Sequence, residues 1–357
     1  MRVMGSKHSA QRLDVFVGSY SAADDPGVHW IEWNLATGEL TIVDSLAGIE
    51  NPSFLAVHPS GGTLYCVSET QHGQAVVVQV DRSHRRLCQL GRVSTGGAAP
   101  CYIQLTADAR FMTVANYEGG SICIFPLQDR RAIGERSAFV RHQGHGTRSD
   151  RQAGPHPHSA VPDAASNWVL VPDLGLDTVV VYHLDASTGQ LCAHSTASTP
   201  AGTGPRHLVF HPFLPMVYVC CELDSTLVAY DWDPSSGRLS THATYPLLPR
   251  NFSAPSTAAD VHITPDGRFL YASNRGHDTL ACYGVDAAGH LQYLCHVPTH
   301  GRTPRHFAIS PRGDYLMVAN QDSDDLRVFA LDERGIPRPT GDILTVHSPV
   351  CIRFWPE

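Results

Sequence analysis

One template of 17 residues occurs six times along the chain without a gap. Each copy has a short apolar strand, a turn usually marked by Pro or Gly, and a second apolar strand that ends in small or polar residues. The copies occupy 53–69, 101–117, 158–174, 206–222, 259–275 and 305–321, and successive copies begin 48, 57, 48, 53 and 46 residues apart. A period of about 50 residues with two strong strands per unit is typical of propeller blades.

Weaker β-branched segments lie between the copies, as at 76–80 and 326–331, and predict a third strand in each blade. A fourth strand follows each of them after a turn. The two chain ends supply a seventh unit, because 350–356 matches the first strand of the template and 15–20 matches the second. A blade built from both ends closes the ring and leaves no exposed sheet edge.

The repeat therefore predicts an all-β fold, a seven-bladed β-propeller whose ring is closed by the N- and C-terminal strands in one blade. We expect a single propeller domain over 13–357, preceded by a flexible N-terminal tail at 1–12. Two β-sandwich domains are the alternative, but no linker interrupts the repeat. The 42% share of hydrophobic residues is enough to bury a core of this size.

Charge and cysteine usage exclude several classes of function. The net charge of −8 argues against nucleic-acid binding, which needs a basic surface. No apolar segment approaches the length of a membrane span, and the N-terminus lacks the apolar region of a secretory signal. None of the ten cysteines forms a C-x-x-C pair, and most lie in apolar segments. We therefore expect buried thiols in a cytoplasmic protein with no membrane partner. The sequence leaves the oligomeric state open.

The template also predicts where a ligand binds. The two strands of each copy are antiparallel, and the first lines the central channel, so the start of the first strand and the end of the second meet at one mouth. Strand interiors are uniformly apolar, whereas these mouth positions differ between blades and carry many titratable groups. Such divergence is typical of a site to which each blade contributes a different group. The candidates at these positions are His158, Arg206, His207, Glu222, Asn274, Arg275, Arg305 and His306.

Three arginines at one mouth of an acidic protein predict an anionic small molecule as ligand, because guanidinium groups bind carboxylate and phosphate through paired donors. Glu222 and His158 are the acid–base candidates. A structural alternative is that Arg206 and Arg305 pair with neighbouring blades. No P-loop and no dinucleotide-binding glycine motif is present.

The connection at 141–160 is long, polar and rich in glycine and histidine, which is common in functional loops. The spacing of its histidines matches no standard metal-ligand pattern. We therefore expect substrate contact from this loop, with His156 among the contacts, and no metal. A metal held by the loop histidines remains the alternative.

Several of these segments carry a family resemblance. The stretches 204–212, 249–253 and 258–275 resemble the propeller-type 6-phosphogluconolactonase family, which also includes a fungal 3-carboxy-cis,cis-muconate cycloisomerase. The pattern Arg-Gln-x-x-Pro-His-x-His-Ser, which starts at Arg151 and includes His156, is similar to the same family. The resemblance covers nearly the whole chain. It implies a seven-bladed propeller that hydrolyses 6-phospho-D-glucono-1,5-lactone to 6-phosphogluconate in the pentose phosphate pathway.

The family's proposed site contains one His, two Arg and one Glu, which correspond here to His158, Arg206, Arg275 and Glu222. In this reading the arginines bind the phosphate and polarise the lactone carbonyl, and Glu222 or His158 activates water. Arg151 and Arg305 are expected to contact the substrate. No cofactor is required.

Three other functions fit the residues. A carboxymuconate-type cycloisomerase uses the same arginines on carboxylates. A non-enzymatic propeller binds a ligand or a protein at its mouth. A metal-dependent lactonase differs from the main hypothesis only in its metal.

Overall fold

The structure is a computed structural model that describes residues 12–128 and 132–355. Its strands form seven antiparallel sheets. Within these residues there is no α-helix, and a 3-10 turn at Gln321–Ser323 is the one helical segment. No helix in the described ranges is long and apolar enough to cross a membrane.

The described ranges contain 29 strands, which are numbered in chain order. The first sixteen are β1 (Arg12–Ser19), β2 (Val28–Asn34), β3 (Leu40–Leu46), β4 (Leu55–Val57), β5 (Thr63–Ser68), β6 (Gln74–Asp81), β7 (Arg86–Ser94), β8 (Pro100–Leu105), β9 (Phe111–Asn116), β10 (Ser121–Gln128), β11 (Ala132–Ile133), β12 (Ala138–Arg141), β13 (Val161–Pro162), β14 (Trp168–Asp173), β15 (Thr178–Leu184) and β16 (Leu191–Ser198). The remainder are β17 (Pro205–Phe210), β18 (Met216–Cys221), β19 (Thr226–Asp233), β20 (Arg238–Pro246), β21 (Thr257–Ile263), β22 (Phe269–Arg275), β23 (Thr279–Val285), β24 (Leu291–Pro298), β25 (Pro304–Ile309), β26 (Tyr315–Asn320), β27 (Asp325–Leu331), β28 (Pro337–Thr345) and β29 (Pro349–Phe354).

Each blade is a meander that runs outward from the channel. Blade 1 has the order β29-β1-β2-β3, and blades 2 to 7 contain β4–β7, β8–β12, β13–β16, β17–β20, β21–β24 and β25–β28. In blade 1 the two chain ends pair antiparallel, with Val17 opposite Ile352. The predicted seven-bladed propeller, closed by both termini, is confirmed.

The first described strand, β1, starts at Arg12, which is the last residue of the expected tail. Residues 1–11, which make up the rest of the expected tail, lie outside the described residues. Blade 3 departs from the four-strand pattern, since both β11 and β12 pair with β10. Blade 4 has a short innermost strand of two residues that follows the His-rich loop.

The turns between first and second strands repeat one backbone conformation. The residue two positions after the template's turn position has a positive φ in five of the six copies. These residues are Gly61 (φ 71°), Ala109 (54°), Ser166 (57°), Gly267 (74°) and Gly313 (75°). Left-handed φ values favour glycine, so the glycine-rich turns suit this geometry.

Neighbouring blades are joined by buried side chains from the second strands. Tyr218 and Tyr271 occupy the same template position and are fully buried. Their hydroxyls donate to the carbonyls of Gly289 and Gly335 in the next blade, both at 2.9 Å. These bonds satisfy the buried polar groups of residues that pack in an apolar interior.

Bulges at the start of the innermost strands position the site. Near the start of β8, β17 and β25, one residue of each strand has no partner in the pairing with the neighbouring strand. In β21 two residues have no partner. The residues without a partner in these pairings are Cys101, Arg206, Ala259, Asp260 and Arg305. In a regular strand, consecutive side chains point to opposite faces. The bulge allows Arg206 and His207, which are consecutive, to line the channel together.

We expect Gly267→Ala to lower the free energy of unfolding by at least about 1–2 kcal/mol, because left-handed φ is costly for residues with a Cβ. The added Cβ would also lie 2.6 Å from the His211 ring. Chemical denaturation measures the change. Gly91→Ala is the control, because Gly91 lies in β7 and its added Cβ meets no atom within 4 Å. Equal stability of G267A and wild type would contradict this account of the turn.

Candidate active site

The functional groups gather at the mouth where the innermost strands begin, which we call the upper mouth. A cavity of about 200 Å³ opens there. Its lining includes Glu69, Tyr117, Arg151, His158, Glu222, Arg275 and Arg305. Arg206 and His207 line a narrow space directly below, beside Tyr20 and Ser53. The structure therefore brings together all four residues predicted as catalytic.

Glu222 is the centre of an arginine cluster formed with Arg151, Arg206 and Arg275. Its Oε2 lies 2.9 Å from Arg206 Nε and 2.9 Å from Arg275 Nη2. Its Oε1 accepts a hydrogen bond from Arg151 Nη2 at 2.7 Å. Glu222 and Arg206 are almost completely buried, whereas Arg151 is partly exposed at the rim. One carboxylate thus holds three guanidinium groups from three parts of the chain.

This arrangement fixes the charge states. Burial alone would raise the pKa of Glu222, but the nearby charges of Arg275 and Arg206 and the hydrogen bond from Arg151 outweigh it and hold the pKa well below its ordinary value. Burial lowers the pKa of Arg275 to about 10, so this arginine still carries its charge at pH 7. The cluster therefore has three positive charges and one negative charge.

A second group lies on the other side of the upper mouth, where blades 7, 1 and 2 meet. Arg305 Nη2 donates to Tyr20 Oη at 2.8 Å, and this hydroxyl lies 3.1 Å from Glu69 Oε2. Ser53 Oγ donates to the same Glu69 oxygen. Burial is the main cause of a raised pKa in both Glu69 and Tyr20, and the pKa of Tyr20 reaches about 12.

His158 lies between the two groups. Its Nδ1 is 3.6 Å from Cys101 Sγ, and its ring packs edge-on against Tyr117 and His207. Burial, with the nearby charge of Arg206, lowers the pKa of His158 well below its ordinary value. The imidazole is therefore neutral at pH 7. His156 stacks on the Tyr117 ring at a centroid distance of 4.4 Å, at the rim of the same mouth.

His207 and His306 point further down the channel than expected. With Phe54, they line both the upper space and a larger cavity of about 610 Å³ at the opposite mouth. His207 Nδ1 is 2.8 Å from Asp260 Oδ1, and His262 Nε2 is 2.9 Å from Asp260 Oδ2. Burial lowers the pKa of His207 to about 4. These rings form the floor of the upper mouth.

Asp260, His262 and His306 are the described residues whose ligand atoms are close enough to share a metal ion. Their polar atoms already pair within the protein, since Asp260 accepts from His262 and His207, and Arg353 Nη1 lies 3.3 Å from His306 Nε2. The arginine places a positive charge beside the ligand atom that a cation would need. We therefore describe the group as a hydrogen-bonded network.

The structure places two other candidate groups away from the cluster. Asn274 is fully buried, and its Nδ2 donates to the carbonyl of Leu247, so its amide joins β22 to the connection between blades 5 and 6. The loop histidines do not converge on one point. His142 pairs with Asp173 at 2.6 Å, and His145 lies next to the carbonyl of Gly146.

Tyr20 and Glu69 were missed as site residues in the sequence analysis. Each directly follows the second strand of its blade, as Glu222 does. The template could therefore have indicated Glu69 as a site residue, since Glu69 and Glu222 are both the last residue of their copies. The contact between Tyr20 and Arg305 depends on ring closure, which brings residues 285 positions apart together.

Comparison with known proteins places this arrangement in a family. The family model described as "Lactonase, 7-bladed beta-propeller" matches residues 14–354. The chain belongs to this family. It is accordingly a lactone-hydrolysing enzyme, a carboxylic ester hydrolase, with a small lactone as substrate.

Named relatives of this lactonase cover nearly the same length. A Bacillus subtilis protein named 6-phosphogluconolactonase is 30% identical over 342 residues, which are 95% of this chain and 97% of that protein. A Formosa agariphila protein of the same name is 32% identical and covers 89% of this chain and 92% of its own. The solved structure of a Pseudomonas aeruginosa periplasmic gluconolactonase superposes with a TM-score of 0.90 at 32% identity, covering 97% of this chain and 99% of that one.

Glu222→Gln tests how strongly the cluster depends on its carboxylate. The change leaves buried arginines without a counter-charge, so we expect a loss of about 3 kcal/mol in the free energy of unfolding, as when one partner of a buried ion pair is removed. Urea denaturation at pH 7 measures this loss. An E222Q variant as stable as wild type would contradict the description of the cluster.

We also expect E222Q to change the pH dependence of the free energy of unfolding. Because the folded state holds the pKa of Glu222 below its unfolded value of about 4.3, the stabilisation is present above that pH and is lost as pH falls below it. We expect the wild-type stability to fall more steeply with acid than that of E222Q. Parallel curves for the two proteins from pH 6 to pH 3 would show that Glu222 titrates normally.

Proposed function

We propose that this lactonase hydrolyses 6-phospho-D-glucono-1,5-lactone to 6-phosphogluconate, in the cytoplasm and without a metal or cofactor. The arginine cluster around Glu222 is the observation that carries the proposal. Two relatives named 6-phosphogluconolactonase, which align over most of the chain, support the same substrate.

The charge of the cluster suits a phosphate group. Arg151, Arg206 and Arg275 with Glu222 have a net charge of +2, and a phosphate monoester carries nearly −2 at pH 7. Arg275 Nε is buried and has no hydrogen-bond partner among the described residues, which leaves a donor for a ligand. An unphosphorylated lactone would leave this charge uncompensated.

Arg305 and His158 line the same cavity and suit the reacting end of the substrate. When water attacks the lactone carbon, negative charge develops on the carbonyl oxygen. A positively charged guanidinium and a neutral imidazole, both held in place before reaction, stabilise such an oxyanion. We assign Glu222 a positioning role, because both of its oxygens are occupied by arginines and its low pKa makes it a weak base.

Free thiols support the proposed compartment. All ten cysteines are unpaired in the structure, and most are buried. Thiols persist in reducing compartments such as the cytoplasm. Localisation of a tagged chain by cell fractionation tests this part of the proposal.

Steady-state kinetics on 6-phosphogluconolactone and on glucono-1,5-lactone test the substrate. We expect kcat/KM to be at least about 100-fold higher for the phosphorylated lactone, since two charge-assisted contacts at about 1.5–3 kcal/mol each are lost without the phosphate. A preference for the unphosphorylated lactone would reject the phosphate assignment.

Arg151→Ala is the matched variant, because its side chain is partly exposed and its loss spares the buried pairs. We expect a rise in KM of about tenfold or more for the phosphorylated lactone and almost no change for glucono-1,5-lactone. Arg141→Ala is the control, because Arg141 is an exposed arginine of β12 that packs against Phe139. Equal effects of R151A on both lactones would remove Arg151 from phosphate binding.

A further inference from the structure

We propose that Glu69 is the general base that activates the attacking water, a role that rests on the proposed lactonase reaction. The two carboxylates of the upper mouth have opposite surroundings. Both oxygens of Glu222 pair with arginines. Oε1 accepts a hydrogen bond from Arg151, and Oε2 lies 2.9 Å from both Arg206 Nε and Arg275 Nη2. Glu69 is instead held mainly through Oε2, which lies close to the hydroxyls of Ser53 and Tyr20.

The second oxygen of Glu69 is free enough to accept a proton. The contact of Oε1 to Tyr20 Oη is 3.3 Å, which is long for a hydrogen bond between oxygens. Glu69 also borders both the narrow space and the 200 Å³ cavity that contains His158 and Arg305. A water beside Oε1 therefore has access to the place where a bound lactone would present its carbonyl carbon.

The directions of the pKa shifts also favour Glu69 over Glu222 and His158, the two acid–base candidates from the sequence. A general base works best when its pKa lies near the working pH. Burial raises the pKa of Glu69, whereas the pKa values of Glu222 and His158 are lowered. The positive charges of Arg305 and Arg206 oppose the effect of burial on the pKa of Glu69. The hydrogen bonds from Ser53 and Tyr20 act in the same direction as these charges. The charged and titratable groups that face Glu69 from neighbouring blades are Tyr20, Cys101, Glu118, His158, Arg206 and Arg305.

The step balances without a further reactant. Glu69 takes one proton from water as the water oxygen bonds to the lactone carbon, and the carbonyl electron pair moves to the carbonyl oxygen. The tetrahedral intermediate then collapses, the bond between carbon and ring oxygen breaks, and the ring oxygen takes the proton from Glu69. The carboxylic acid that forms releases its proton to solvent.

Glu69→Gln keeps the shape of the side chain and its contact with Ser53 but removes the base. We expect kcat on 6-phosphogluconolactone to fall about 100-fold or more, with KM changed less than threefold. Glu333→Gln is the matched control, because Glu333 is an exposed carboxylate in the turn between β27 and β28 and lines neither space of the upper mouth. E69Q activity within a few-fold of wild type would overturn the proposal, while an inactive wild type would instead reject the proposed function.

Ser53→Ala separates a catalytic role from a structural one. The hydroxyl of Ser53 lowers the pKa of Glu69, so its removal should raise that pKa. We expect the acid limb of the kcat/KM profile to move to higher pH in S53A, with the plateau above it preserved, after subtraction of spontaneous hydrolysis. An unmoved acid limb in S53A would overturn the proposal even if E69Q failed to fold.

Discussion

Antiparallel pairing of β1 with β29 is the interaction on which the propeller and its site both depend. It joins the two chain ends in blade 1 and removes the free edges that an open arc of sheets would present. It also places Tyr20, directly after β1, between Arg305 and Glu69. Ring closure thus completes the fold and one side of the upper mouth at the same time.

Charge is divided unequally across that mouth. On one side Glu222 holds three arginines and leaves a net positive charge for an anion. On the other side Glu69 faces Arg305 through Tyr20, and this half-buried carboxylate has a raised pKa. A substrate with a phosphate at one end and a reactive carbonyl at the other is complementary to both sides. Because each side is built from different blades, the rigid ring sets the distance between them.

The repeat predicted the fold because its period and its apolar strands are local properties of the sequence. The same frame placed Arg206, Glu222 and Arg275 at one mouth, where the structure brings them together. It could not predict which mouth residues hold the others in place, since that depends on contacts between blades. Asn274 fitted the frame, yet its amide donates to the carbonyl of Leu247 in the connection between blades 5 and 6.

Bulges explain another part of what the sequence concealed. A strict alternation of side chains would have sent Arg206 and His207 to opposite faces, and the extra residue in β17 allows both to line the channel. The raised pKa of Glu69 likewise arises from burial by neighbouring blades. The sequence pattern around Glu69 cannot show this burial, because the blades are distant in the chain. Local patterns therefore predicted the ring, and the non-local packing of its blades determined the chemistry.

A crystal structure of the protein with 6-phosphogluconate, the proposed product, would show where the phosphate and the carboxylate bind. We expect the phosphate to lie against Arg151 and Arg275, and the carboxylate to lie beside Arg305 and Glu69. A product molecule seated in the 610 Å³ cavity at the opposite mouth, or bound at the upper mouth without arginine contacts, would contradict this expectation.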